Sequence, residues 1–284
     1  MADGRNGEVS VDEGEGTASC GKWADYDTGV AHSARVYNYL LGGKDNFAAD
    51  RAAGDLVIQA LPGAVLSARA NRAFLGRAVR FLADQAGIRQ FLDIGTGIPA
   101  ANNTHQVAQA IAPESRVVYV DNDPIVLAHA RALLASHPAG ATDYIEADLR
   151  DPRKILDSAA LLDFTHPVAV MLLAILHFFS DEDDPHQIVA TIMDALPTGS
   201  YLVISHAAED INSEAMARMA STMKHKLPEQ GTVRDHAAVV RFFDGLELIE
   251  PGVVQLSKWR PESPADAELT AVAWAGVGCK RRGQ

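Results

Sequence analysis

The sequence predicts an α/β protein built on a seven-stranded, mostly parallel sheet with an N-terminal helical cap. Three observations carry that expectation. From residue 89 onward short aliphatic runs alternate with amphipathic stretches; three consecutive runs end in an acid at the point where the pattern turns helical; and a group of helical stretches precedes the first run. The chain has 284 residues, 48% of them hydrophobic and only 6% aromatic, enough for a large aliphatic core. A chain disordered throughout and a small disulfide scaffold are both excluded.

Residues 1–21 hold five glycines, five acids and one arginine with almost nothing to bury, and are expected to form a disordered leader. Residues 22–88 form the expected helical cap, broken by the polar, glycine-containing segment LGGKDNFAADR and again at Leu61-Pro62-Gly63. Residues 89–284 form the main domain. Strands are expected over 90–94, 116–120, 143–147, 168–173, 201–205, 246–249 and 271–275, with helices over 103–112, 124–136, 152–159, 184–196, 213–226 and 235–243. Pro124 suits the first turn of a helix behind Asp123 as cap, and Gly199 suits the exit from the helix ending near residue 196.

Composition bounds the function. The formal charge of −12 and the lack of any basic cluster beyond the KRR run near the C-terminus oppose a surface that tracks phosphates, so nucleic acid is not an expected partner. The apolar stretch 168–176 is far short of the roughly 20 residues that span a bilayer, and no secretory signal pattern opens the chain. A cytoplasmic protein without a membrane partner is expected. Cys20 and Cys279 have no nearby cysteine partner, and no metal site is expected.

The segment FLDIGTGIPA is the most informative. A strand ends in Asp93 and turns through Gly95 and Gly97, residues that tolerate positive φ and let a ligand approach the backbone. An ordinary glycine turn would look the same. GTGIPA also fits the G-x-G-x-x-A form of the dinucleotide fingerprint, which keeps an NAD(P)-dependent oxidoreductase in view. Asp93 just before the glycines, Pro99 inside the motif and the helical stretch ahead of it all speak against that alternative. The second run, VVYV, leads into Asp121, spaced to accept both ribose hydroxyls, and the third into Asp148, able to accept from an adenine amine. Together the three acids favour an adenosine-containing ligand, although Asp123 and Asp151 are better read as helix caps.

The order of LDIGTG, VDND and ADLRD resembles the class I S-adenosylmethionine-dependent methyltransferases, a Rossmann-like fold. HSARVYNYLLGGKDNFAADR, NRAFLGRAVRFL, VAVMLLAILHF, DDPHQIV, GSYLVISH and KWRPE extend the similarity, from about residue 30 to near the end, to a subfamily common in actinobacteria and long catalogued as a domain of unknown function. The glycine motif departs from the wider pattern in closing with Ile98-Pro99 and no third glycine. The resemblance implies S-adenosylmethionine as cofactor. It implies that Asp93, Gly95, Thr96 and Gly97 shape the methionine pocket, that Asp121 and Asn122 take the ribose, that Asp148 and Leu149 frame the adenine, and that Ala174 to His177 lie near the sulfonium.

The acceptor is expected to be a small molecule with an O or N nucleophile; a non-catalytic S-adenosylmethionine-binding sensor is the alternative from another class. No universal catalytic residue is required when the sulfonium carries the reactivity. His177 and His206, which follow the fourth and fifth runs, are the candidate bases, and a histidine bonded to backbone accounts for either as well. The acidic run 181–184 reads as a solvated loop and cap. Met216, Met219 and Met223 share a helical face, which core packing explains more simply than a substrate wall. In YNYLLGGKDNF, Gly42 or Gly43 could merely close a helix, but the polar cluster after them points to a lid in which Tyr37, Gly43, Lys44 and Asn46 cover the cofactor.

Overall fold

The computed structural model describes residues 27–133, 135–223 and 231–281; the leader expected over 1–21 and the far end of the helix expected over 213–226 lie outside the described residues. One sheet holds β1 (Gln90–Ile94), β2 (Arg116–Asp121), β3 (Ala141–Glu146), β4 (Ala169–Leu173), β5 (Tyr201–Ala207), β6 (Glu247–Leu248), β7 (Val254–Gln255) and β8 (Ala273–Cys279). The strand order is β3-β2-β1-β4-β5-β8-β6, with β7 paired to β8 off that path. Strands β1 to β5 run parallel, and β8 is antiparallel to β5, β6 and β7.

The sheet therefore has eight strands rather than seven. The additional strand, β7, is two residues long and too short to display an alternating pattern. The strand expected over 271–275 runs instead through Ala273–Cys279, across two glycines that weaken a strand signal. Packing demands them: a Cβ on Gly278 would come within 2.8 Å of Phe243, and one on Gly276 within 2.9 Å of Val253.

Strands β1, β2, β4 and β5 are buried on both faces, with period-two alternation dividing their side chains between two layers. Leu92, Val118, Val120, Val170, Leu172, Leu202 and Ile204 face one core; Phe91, Val117, Tyr119, Ala169, Met171 and Val203 face the other. The helices around them are α1 (Ser33–Leu40), α2 (Ala48–Ala60), α3 (Ala64–Arg80), α4 (Thr104–Ile111), α5 (Pro124–Leu133), α6 (Pro152–Ser158), α7 (Pro185–Asp194), α8 (Ser213–Met223), α9 (His236–Val240) and α10 (Pro264–Ala267). Aspartate-proline pairs start three of them. Asp123 accepts from Ile125 N–H at 2.8 Å, Asp151 from Lys154 N–H at 3.1 Å and Asp184 from Gln187 N–H at 3.2 Å.

Helix α3 belongs to the layer on the sheet. Phe74, Ala78 and Leu82 are fully buried in that core, Phe74 meets Trp259 edge to face at 5.3 Å, and Arg77 donates to the carbonyls of Trp259 and Leu256 at 2.9 Å each. Helices α1 and α2 lie outside it, and Val57 and Leu61 of the α2 region pack with Ala215 and Met216 of α8. Met216 and Met219 both join that cluster, as packing residues, while nothing is described for the side chain of Met223.

Candidate active site

The sheet order reverses between β1 and β4, which opens a crevice at the carboxyl ends of those strands, the usual place for a ligand in an open α/β sheet. At the end of β1 the chain turns through Gly95 and Gly97 with φ of +73° and +66°, conformations that strain any residue with a Cβ. A Cβ on Gly95 would come within 2.7 Å of Ile175, so this glycine also lets the turn close against the segment after β4. At Gly97 a Cβ would meet no atom within 4 Å.

Hydrogen bonds tie this turn to β2. Gly95 N–H donates to Val120 O at 2.8 Å, and Thr96 Oγ1 lies 3.1 Å from Asp93 O and 3.2 Å from Val120 O. Asp121 accepts from Gly97 N–H at 2.9 Å through one carboxylate oxygen and from Asp123 N–H at 3.0 Å through the other. Asp93, Gly95, Thr96, Gly97 and Asp121 are thus brought together, while Asn122 is exposed at the tip of the following turn.

Both acids are buried, 6% exposed each, and both resist ionisation. Burial pushes the Asp93 carboxyl up to about 6, against a 2.6 Å hydrogen bond from Thr104 Oγ1 and the field of Arg72, which favour the anion. Burial likewise raises Asp121, opposed by the two N–H groups it accepts from. Sequence reasoning missed both supporting residues. Thr104 opens α4 eleven residues after Asp93, and Arg72 reaches from α3 to the carbonyls of Ala101 and Asn102 at 3.0 and 3.1 Å, fixing the loop after the glycines. Nothing local in the sequence marks an arginine thirty residues upstream of the loop it holds.

After β3, the half-buried Asp148 accepts from Arg150 N–H at 2.8 Å and faces the Arg150 guanidinium at 3.4 Å. Leu149 is buried in the core. The acidic run 181–184 divides its roles: Asp181 pairs with Arg234 at 2.7 Å, Asp183 with Arg150 at 2.7 Å, and Asp184 caps α7.

Beyond β4, Ala174 adopts φ of +54°, an uncommon conformation for a residue with a side chain. The two candidate bases then separate. Arg234, itself 5% exposed, donates from Nη1 to His206 Nε2 at 3.1 Å, so His206 carries its proton on Nδ1 and donates it to Ala207 O at 2.8 Å. Both nitrogens of His206 are committed, and burial together with neighbouring His177 pulls its pKa down to about 3. His177 has a buried Nδ1 with no hydrogen-bond partner among the described residues. Burial, then Arg234, lowers its pKa to about 4. Arg234 also donates to Leu176 O at 3.3 Å and Phe179 O at 3.0 Å, pinning the segment that carries His177.

The segment expected to act as a lid is packed in place. Gly42, with φ of +81°, and Gly43 close α1 through bonds from Gly43 N–H to Asn38 O and Gly42 N–H to Tyr39 O, both 2.9 Å. The buried Asn46 donates to Asn38 Oδ1 at 2.8 Å and to Gly43 O at 2.9 Å; Lys44 is exposed. Tyr37 OH reaches Ala68 O at 3.0 Å, and His32, just before α1, places Nδ1 3.2 Å from Asp123 Oδ2, beside the turn after β2. No helix among the described residues is long and apolar enough to cross a membrane.

Comparison with known proteins identifies the family of the chain. A family described as S-adenosyl methyltransferase matches residues 21–281. A DUF574 family protein from Streptomyces avermitilis superposes with a TM-score of 0.86 at 48% identity, covering 89% of this chain and 99% of that one. A protein from Thermobifida fusca, described as a candidate methyltransferase, superposes at 0.83 with 44% identity, covering 90% and 97%. The plantazolicin methyltransferase BpumL, 10% identical with a TM-score of 0.51 over 88% of this chain and 96% of its own, shares the fold alone. No curated protein matches the chain. With all the described residues inside the family match, the chain belongs to the S-adenosyl methyltransferase family and is an S-adenosylmethionine-dependent methyltransferase.

Proposed function

We propose that the protein methylates a small-molecule acceptor in the cytoplasm at an O or N nucleophile, holding its cofactor across the ends of β1, β2, β3 and β4. Asp93, Gly95, Thr96 and Gly97 receive the amino-acid end, Asp121 and Asn122 the ribose, and Asp148 with the main chain of Leu149 the adenine; Ala174 and His177 lie on the sulfur side. The observation that carries the reading is Asp93, a carboxyl buried at the crevice and pushed up to about 6 by that burial in spite of Thr104 and Arg72. A cationic ammonium or sulfonium would relieve it, and the open space at Gly97 leaves room for a ligand against the backbone.

When bound, S-adenosylmethionine supplies an electrophilic methyl group on a positively charged sulfur. The residues of the chain then have to align the acceptor, exclude water and receive a proton if the nucleophile carries one. His177 is the group suited to the last task, because its Nδ1 is uncommitted and burial beside Arg234 keeps it neutral. His206 has no nitrogen to offer. Removing a general base of this kind typically lowers turnover by about a hundredfold or more, and His177→Ala is expected to do so, with any loss of cofactor affinity the smaller effect.

The test is turnover with methyl-labelled S-adenosylmethionine and a fractionated metabolite extract. Label transferred to a small molecule, with S-adenosylhomocysteine formed in equal amount, is the expected result. Cofactor binding without transfer to any fraction would favour the non-catalytic sensor, and a thermal shift given by NAD but by neither S-adenosyl compound would overturn the cofactor assignment.

A further inference from the structure

A single chain of hydrogen bonds crosses from the cap helix α1 to the loop after β4. Ala174 N–H is shared between Ser205 O at 3.1 Å and Ser205 Oγ at 2.9 Å. Ser205 Oγ, accepting there, donates to Asn71 Oδ1 at 2.6 Å; Asn71 Nδ2 donates to Tyr37 OH at 3.0 Å; and Tyr37 OH donates to Ala68 O at 3.0 Å. The directions admit one assignment, because the chain starts at an obligate donor and ends at an obligate acceptor, which also fixes the Asn71 amide orientation. Its members come from α1, α3, β5 and the β4 loop, and Asn71 and Ser205 are 7% and 1% exposed.

Two features make this more than core satisfaction. Ser205 already offers its main-chain carbonyl to Ala174 N–H, so the side-chain bond is a second hold on a residue whose φ of +54° is unfavourable. The far end of the chain lies on a helix whose other contacts, His32 and Arg35 with Asp123, reach the turn after β2. Helix α1 therefore meets the turn after β2 directly and the loop after β4 through Asn71 and Ser205.

We propose that Tyr37, Asn71 and Ser205 are positioning residues that fix the left-handed Ala174 backbone on the sulfur side of the cofactor and make the seating of α1 part of cofactor affinity. This inference rests on the placement of the cofactor proposed above. None of the three touches the reacting atoms on this account; each acts through Ala174. A cap seated on its own account would leave Ala174 indifferent to Tyr37.

The test combines titration of S-adenosylhomocysteine with the Ala174 amide resonance of the cofactor-free protein, in wild type and in Tyr37→Phe, Asn71→Leu, Ser205→Ala and Ser205→Thr. Loss of one link, comparable to one neutral hydrogen bond, is expected to weaken binding about fivefold in the first three variants and to shift the Ala174 resonance. Ser205→Thr, which keeps the hydroxyl, is expected to restore both, a rescue that a purely structural loss would not show. Unchanged affinity and an unmoved resonance in Tyr37→Phe and Asn71→Leu would overturn the proposal. If wild type fails to bind S-adenosylhomocysteine, the cofactor placement falls instead, and the positioning role on the sulfur side falls with it.

Discussion

At the β1–β2 edge burial outweighs Thr104 and the field of Arg72 and keeps a carboxyl from ionising, whereas at the β4–β5 edge two imidazoles are buried beside Arg234. Asp93 sits near pH 6 although Thr104 supports its anion; His177 and His206 sit near 4 and 3, with Arg234 beside them. Both regions keep buried groups neutral at mild acidity, but they respond to pH in opposite directions. The folded protein holds the Asp93 proton between about pH 4 and 6, where an unfolded chain has released it, so that contribution to stability is full below the ordinary carboxylate pKa and lost as pH rises through 6. The histidines take up protons in the unfolded chain first, so their contribution is full above about 6.5 and lost as pH falls towards 4 and 3. The two edges therefore differ in what a ligand would change. His206 is satisfied as it stands, while Asp93 is improved by any cation that arrives.

Breaking the satisfied edge is expected to have the largest effect. Arg234→Met leaves the carbonyls of Leu176 and Phe179 and the Nε2 of His206 without their donor, and is expected to lower stability by about 3 kcal/mol in urea unfolding. A loss below about 1 kcal/mol would mean that this edge is not held by Arg234. Relieving the unsatisfied edge acts with the opposite sign. Asp93→Asn is expected to stabilise the cofactor-free protein by about 2 kcal/mol above pH 7, since a carboxyl raised from 3.8 to about 6 costs on the order of 3 kcal/mol once ionised. It should also weaken S-adenosylmethionine binding, and a variant less stable than wild type at that pH would contradict the account. The smallest effect sharpens the same contrast: near pH 6, binding of S-adenosylmethionine is expected to release about half a proton from Asp93, read from calorimetry in buffers of different ionisation heat.

These two edges also differ in how far the sequence disclosed them. Acids at strand ends and glycines at positive φ are local signals, so Asp93, Gly95, Gly97 and Asp121 could be named together and the structure gathers them. That β1 to β5 run parallel followed from alternating strand and helix patterns. At the other edge the decisive contacts are distant in the chain: Asn71 meets Ser205 across 134 positions and Arg234 meets His206 across 28. A left-handed alanine leaves no mark of the kind a glycine leaves, so Ala174 entered only through the family resemblance. Strand β7 escaped because two residues carry no period, and Gly276 and Gly278 concealed the far half of β8 because the bulk they avoid belongs to Phe243, Val253 and Leu246.

The central claim is that Asp121 holds the ribose while organising the glycine turn. Its two carboxylate oxygens each accept one N–H bond and retain lone pairs for hydroxyl donors. The direct measurement is a calorimetric titration of S-adenosylhomocysteine into wild type and Asp121→Ala, with thermal unfolding of both as control. Binding is expected to weaken at least about tenfold in a variant that remains folded, since each hydrogen bond to a charged group contributes roughly 1.5 to 3 kcal/mol. An unchanged dissociation constant would remove Asp121 from the site and contradict the placement of the cofactor.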